Sequence, residues 1–205
     1  MLTKEQLNIL AVFSEDIFAD LTFRQMKEKS GQKSNNVTQL ALKEFRDQDL
    51  IKTKKTGNVT TYSLNLDNNL ALSYLSTINA AEIQKDRKTP VKILREIQGR
   101  ILKHTEFFIL AVFGSYAKGK AKAGSDLDMA VIVESEETKK NVMPFLETVK
   151  RREIVRIDYH IFTRSEFLQM LSSEQENVGK QICKNNIIFY GFEQYCNLIR
   201  GKSYA

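Results

Sequence analysis

Phe113-Gly-Ser-Tyr-Ala-Lys-Gly-Lys-Ala-Lys-Ala-Gly-Ser-Asp-Leu-Asp128 is the stretch on which the reading of this chain turns. The apolar run Phe107-Phe-Ile-Leu-Ala-Val-Phe113 leads into a Gly-Ser turn, and Met129-Ala-Val-Ile-Val133 follows the second aspartate. Both runs predict strands. Alternate strand residues point the same way, so Asp126 and Asp128 leave one face and Leu127 the other. Paired carboxylates beside a turn with free N–H groups suit a magnesium-bound triphosphate.

A third carboxylate follows. In Ile154-Val-Arg-Ile-Asp-Tyr-His-Ile-Phe162, alternation puts Arg156, Asp158 and His160 on one face and Ile157, Tyr159 and Ile161 on the other. Arg156 and His160 could each contact a substrate; the plainer expectation is that Arg156 pairs with a neighbouring acid and His160 lies at the strand edge. A competing motif is excluded by one residue. Gly114 to Lys120 fits G-x-x-x-x-G-K, but a phosphate loop needs Ser or Thr next, to ligate magnesium, and the chain has Ala121. Gly124-Ser-Asp-Leu-Asp128 also interrupts the helix that should follow.

Gly-Ser followed by Asp-x-Asp and a later strand-borne Asp resembles the nucleotidyltransferase superfamily of DNA polymerase β, most closely its minimal nucleotidyltransferases, over roughly residues 90–190. The resemblance implies transfer of a nucleoside monophosphate from a nucleoside triphosphate, ATP being expected, to a hydroxyl acceptor. Asp126, Asp128 and Asp158 would be catalytic and would ligate two Mg²⁺ ions. Gly114 would allow close backbone approach, and Ser115, at a helix N-terminus, would donate to the phosphates. Lys118 and Lys122 are expected phosphate contacts. Ser125 is placed in the nucleotide-binding set, although fixing the turn before Asp126 is its simpler role.

Composition bounds the rest. The 205 residues suit one large or two small domains; 42% are hydrophobic and 27% charged, so a packed core is available. No apolar run is long enough to span a membrane. Met-Leu-Thr-Lys-Glu-Gln is not a secretory leader, and Cys183 and Cys196 form no metal-ligand pattern, so the expected compartment is the cytoplasm. With only His104 and His160, a zinc site is not expected. The net charge is +6, which permits nucleic-acid contact without demanding it. Residues 85–122 hold ten Lys or Arg against Asp86, Glu96 and Glu106, a surplus of +7. Most of these should be solvated; Lys118, Lys120 and Lys122 lie inside the motif loop itself.

The N-terminal third reads differently. Helices are expected over 4–13, from Leu21-Thr22 to Ser30-Gly31 with Thr22 and Gln25 as a capping box, and over Ser34–Gln48 with Val37, Leu40, Ala41, Phe45 and Leu50 inward. A hairpin follows, Ile51–Lys55 and Val59–Leu64 about a Gly57-Asn58 turn. Three helices and a hairpin resemble a winged helix-turn-helix. That resemblance implies double-stranded DNA, with Lys33, Ser34, Asn35, Asn36, Thr38 and Gln39 at base edges and Lys52, Lys54 and Lys55 on phosphates. Residues 1–65 carry ten basic and eight acidic residues, a weak footprint for DNA. Docking of a protein partner, or dimerisation, stays open.

A connecting helix is expected from Asn68 to Ile83 (Leu70, Leu72, Leu75, Ile78 and Ala81 at helical spacing), then a hinge at Gln84–Pro90. Further helices are expected over 91–104, 136–152, 165–171 and 177–196, with a short strand before Gly191. The expected architecture is thus mixed α+β and α/β: a winged helix over 1–66, a connection over 67–89, and a nucleotidyltransferase domain over 90–205, its mixed sheet flanked by helices. The partners implied are a nucleoside triphosphate, double-stranded DNA, a separately encoded protein acceptor or toxin, and a second copy of the chain. The alternative function is a transcriptional regulator or antitoxin that uses the C-terminal domain as a nucleotide sensor.

Overall fold

The computed structural model describes residues 1–14, 16–85 and 89–200. Residues 86–88 of the expected hinge lie outside the described residues, and so do the side chains of Lys85, Asp86, Arg87 and Lys88 counted in the basic stretch. The chain divides into two compact units, Met1–Ala81 and Glu82–Ala205.

The first unit packs α1 (Lys4–Leu10), α2 (Phe23–Lys29), α3 (Asn35–Asp47) and most of α4 (Asn69–Lys85) with three short strands. Strands β1 (Leu21–Thr22), β2 (Ile51–Thr56) and β3 (Val59–Leu64) form an antiparallel sheet in the order β1-β3-β2. Local chemistry sets the helix starts. Thr3 with Gln6 and Thr22 with Gln25 form complete capping boxes, and the Ser34 side chain accepts from the Val37 N–H. Gly57 takes a φ of +59°, as a two-residue hairpin turn requires. Ile9, Leu10, Phe13, Met26, Ala41, Phe45 and Leu50 are fully buried.

Residues 17–20 lie outside the helices: the Asp16 side chain accepts from the Phe18 N–H at 2.9 Å, a local turn that competes with helix. One expectation fails here. Leu40 is 56% exposed and Leu42 is buried instead, because the face shared by Thr38, Ala41, Leu42 and Phe45 is the one that meets the core. On α4, Leu70 and Ala81 are exposed while Ala71, Leu72, Leu75 and Ile78 are buried.

The second unit is built on a four-stranded sheet: β4 (Phe108–Val112), β5 (Leu127–Val133), β6 (Ile157–Thr163) and β7 (Ile187–Tyr190), in the order β6-β5-β4-β7. β4 runs antiparallel to β5 and β7, and β5 parallel to β6, so the sheet is mixed. Helices α5 (Val91–Ile101), α6 (Gly114–Ala117), α7 (Glu136–Arg152), α8 (Arg164–Ser172), α9 (Val178–Lys184) and α10 (Phe192–Ile199) complete it. Phe108, Leu110 and Val112 of β4 and Leu127, Met129, Val131 and Val133 of β5 join one apolar cluster. Leu94, Ile97 and Ile101 of α5 and Val142, Leu146 and Val149 of α7 complete that cluster. Burying each such side chain contributes about 1.5–3 kcal/mol. Ile109, Ala111, Ala130 and Ile132 face the other way and are buried too. β5 is therefore covered on both faces except where Asp128 interrupts it at its N-terminal end.

Among the described residues, no helix is long and apolar enough to cross a membrane.

Candidate active site

The site begins at the C-terminal end of β4. The Phe113 N–H donates to the Asp128 carbonyl at 3.0 Å, holding the turn against β5. Gly114 then takes a φ of +66°. A Cβ there would lie 2.0 Å from Asp128 Oδ2, so the glycine is required twice over: by its backbone and by the carboxylate that packs on it. The Ser115 backbone N–H donates to that same carboxylate. This N–H, expected to serve phosphate, is directed at Asp128.

The helix after the turn, α6, lasts one turn, and Tyr116 and Ala121 anchor the following loop in the apolar cluster. Ala121, where a phosphate loop would need a hydroxyl, is 7% exposed. The loop closes on itself: the Lys120 N–H donates to the Ser115 carbonyl at 2.9 Å, and the Ser125 hydroxyl accepts from the Lys122 N–H at 2.9 Å. Ser125 thus fixes the turn before Asp126. Lys118, Lys120 and Lys122 are exposed and make no ion pair among the described residues.

Register assembles the carboxylates. Asp128 on β5 lies opposite Asp158 on β6 in the parallel pair, and the Leu127 N–H donates to the Arg156 carbonyl at 2.7 Å. Asp126 and Asp158 are exposed and Asp128 is half-buried. Burial raises the Asp128 carboxyl above the usual carboxylate range; the Asp158 charge adds to this, the Ser115 N–H opposes it, and Asp126 raises it further. Among the described residues, no three His, Cys, Asp or Glu side chains already converge on one metal position. The site offers a row of hard oxygen donors along one face, and a divalent cation would relieve their mutual repulsion. The donor set fits such an ion.

Around the row, the His160 ring stacks on Phe162 (centroids 5.8 Å apart, planes 6° apart) and lies 6.0 Å from Phe113. Arg156 is exposed and, against expectation, makes no ion pair among the described residues. A cavity of about 220 Å³ in this unit lies elsewhere, lined by Phe107, Ile109, Ile132, Glu134, Arg164 and Leu198. It sits at the opposite end of β4 and β5 from Asp128.

In the first unit the expected DNA-contact residues separate. Lys33, Asn36 and Gln39 are exposed, Ser34 is occupied as the N-cap of α3, and Asn35 accepts from Lys27 Nζ at 2.6 Å. Thr38 is fully buried and donates its hydroxyl to the Ser34 carbonyl at 3.1 Å, which removes it from any base-reading face. Lys52 pairs with Asp67 at 2.5 Å. By alternation Lys52 and Lys54 share the hairpin face of Ser63 and Thr61, whereas Lys55 shares that of Thr60 and Tyr62. Between α3 and the hairpin lies a hollow of about 800 Å³ lined by Arg24, Asn36, Gln39, Lys43, Arg46 and Tyr62 among others, and no carboxylate lines it. Helical spacing from Asn36 and Gln39 puts Lys43 and Arg46 on the same side of α3, though neither is among the expected contacts.

Residues 95–194 match the model of the family described as Polymerase beta, Nucleotidyltransferase. No curated protein and no solved structure matches the chain. The match spans the Gly-Ser turn and all three aspartates, and on it this segment is similar to the polymerase β nucleotidyltransferases, which supports a nucleotidyltransferase activity.

Proposed function

We propose that the chain is a magnesium-dependent nucleotidyltransferase that moves a nucleoside monophosphate from a nucleoside triphosphate, ATP in the first instance, to a hydroxyl acceptor. The observation that carries this reading is Asp128 facing Asp158 across a parallel strand pair, beside a Gly-Ser turn built around the Asp128 carboxylate. Asp126, Asp128 and Asp158 would hold two Mg²⁺ ions, which when bound neutralise the triphosphate and lower the pKa of the attacking hydroxyl. The acceptor oxygen attacks the α-phosphorus, a new P–O bond forms, and the bond to the bridging oxygen breaks. Pyrophosphate leaves with that electron pair, and the hydroxyl proton passes to the Asp158 carboxylate. Lys118 and Lys122, exposed in the loop over the turn, attract the β- and γ-phosphates. Asp158 lies on the outermost strand, so it takes the acceptor side.

The test is nucleotide incorporation by Asp126→Asn and Asp128→Asn. Both should lose transfer while keeping the wild-type circular dichroism spectrum; transfer at wild-type rates by both would end the proposal.

For the first unit we infer a winged helix that places α3 in the major groove of double-stranded DNA. The β1-β3-β2 sheet against α3, and the acid-free hollow containing Arg24, Lys43 and Arg46, support it. A regulator that uses the second unit as a nucleotide sensor is the other reading. The raised Asp128 carboxyl weighs against it, because clustered carboxylates without a metal cost stability.

A further inference from the structure

The acceptor side of the site is the outermost strand of the sheet, β6. In a parallel pair each strand bonds its neighbour through alternate residues. With the Arg156 carbonyl engaged by Leu127, the N–H and C=O groups of Ile157, Tyr159 and Ile161 point away from β5, and among the described residues no strand pairs there; Tyr159 is half-buried, while Ile157 and Ile161 keep 4% and 9% of their surface. β6 is seven residues long and contains no proline or glycine to blunt the edge. Its end is closed, where the Thr163 N–H donates to Glu166 Oε2 at 2.7 Å.

The segment feeding this edge is unusual. Ile154, three residues before β6, is fully exposed at 101%. Around it Lys150, Arg151, Arg152 and Arg156 stand against a single acid, Glu153, which Arg152 engages together with Glu96. Lys150 lies over the Tyr159 ring, 5.5 Å from its centroid. Arg151 and Arg156 are exposed and make no ion pair among the described residues.

Resting on the nucleotidyltransferase reading, we propose that the acceptor is an acidic, extended polypeptide segment that adds a strand to the free edge of β6 and carries the hydroxyl that is modified. Strand addition gives affinity through the main chain. Arg151 and Arg156 select acidic side chains, and Ile154 takes an apolar one. A strand laid about 4.8 Å from β6 brings one of its side chains level with Asp158. The serine, threonine or tyrosine oxygen there bonds the α-phosphorus as pyrophosphate departs, and its proton goes to Asp158. A nucleic-acid acceptor would also meet the arginines, but the repeat of unpaired N–H and C=O groups along a strand edge matches a peptide backbone and not a sugar–phosphate chain.

The full chain, Mg²⁺ and α-labelled nucleoside triphosphates are incubated with three probes. These are an acidic peptide of about seven residues with one central hydroxyl residue, its lysine-for-acid counterpart, and an oligonucleotide with a free 3′-hydroxyl. The acidic peptide should be labelled in preference to both. Arg151→Glu combined with Arg156→Glu should lower kcat/KM for it by about tenfold or more, through KM, and should raise labelling of the lysine peptide. Ile154→Asp should weaken labelling of every peptide. Labelling confined to the oligonucleotide, equal labelling of both peptides, or no change of preference in the double variant overturns the proposal. So does failure to label any peptide while calorimetry shows that the wild-type chain binds the magnesium–nucleotide. Absence of nucleotide binding overturns the nucleotidyltransferase reading as well.

Discussion

Gly114→Ala tests the site through its backbone. At a φ of +66° a Cβ costs roughly 1–2 kcal/mol. The added methyl would stand 2.0 Å from Asp128 Oδ2, 2.8 Å from its carboxyl carbon and 3.1 Å from its Cβ, so Asp128 must move. It is half-buried, and its carboxylate can swing toward solvent while the sheet stays whole. In doing so it abandons the Ser115 N–H, a bond to a charged group worth about 1.5–3 kcal/mol, part of which water restores. The expected destabilisation is therefore about 2–3 kcal/mol, enough to shift a urea midpoint without unfolding the chain at 25 °C. The effect on turnover should be larger. Displacing a positioned catalytic group by about 1 Å costs about a hundredfold in rate, or close to 3 kcal/mol. Urea unfolding and initial rates of nucleotide incorporation measure the two separately. An alanine variant with wild-type turnover would show that the packing of Asp128 on Gly114 does not matter, and the reasoning from that contact would be wrong.

Two further perturbations address other parts of the molecule. Lys139 Nζ reaches both Glu166 carboxylate oxygens at 2.7 Å, and with the Thr163 N–H it holds the Glu166 carboxyl below its ordinary 4.5. A lowered folded-state pKa stabilises above the unfolded value and loses that contribution as pH falls through the folded one. Glu166→Gln should cost about 0.5–1 kcal/mol at neutral pH, the surface pair being partly screened. The difference from wild type should close in acid; melting curves showing a pH-independent gap would contradict this. In the first unit, Lys43→Ala or Arg46→Ala should each reduce the slope of log affinity for duplex DNA against log salt by about one, whereas Lys52→Ala, already paired with Asp67, should leave it unchanged. A wild-type slope near zero would remove DNA as the ligand.

How far the sequence could be read depended on the range of the interaction. Capping at Thr22 and Gln25, the Gly57-Asn58 hairpin and the alternation of Asp126 with Asp128 are settled within a few residues, and each is legible locally. Which side of α3 meets the core is not local. Val37, Leu40 and Ala41 suggest one apolar face, but packing of the short sheet selects Thr38, Ala41, Leu42 and Phe45. The level pairing of Asp128 with Asp158 depends on a parallel register between strands separated by α7, which alternation within each strand cannot supply. The close backbone approach expected at Gly114 is made by the Asp128 carboxylate, a contact visible only once the strands are placed. Arg156, without an ion pair among the described residues, likewise runs against the ordinary expectation for an arginine near acids.

The central claim, that the three aspartates serve nucleotidyl transfer, is tested most directly by the position of the label. The full chain is incubated with Mg²⁺, acceptor and nucleoside triphosphate labelled either at the α- or at the γ-phosphorus. The α-label should enter the acceptor while the γ-label is released as pyrophosphate, and both signals should vanish in Asp128→Asn. Transfer of γ-label to the acceptor, or α-label incorporation that survives in Asp128→Asn, would contradict it.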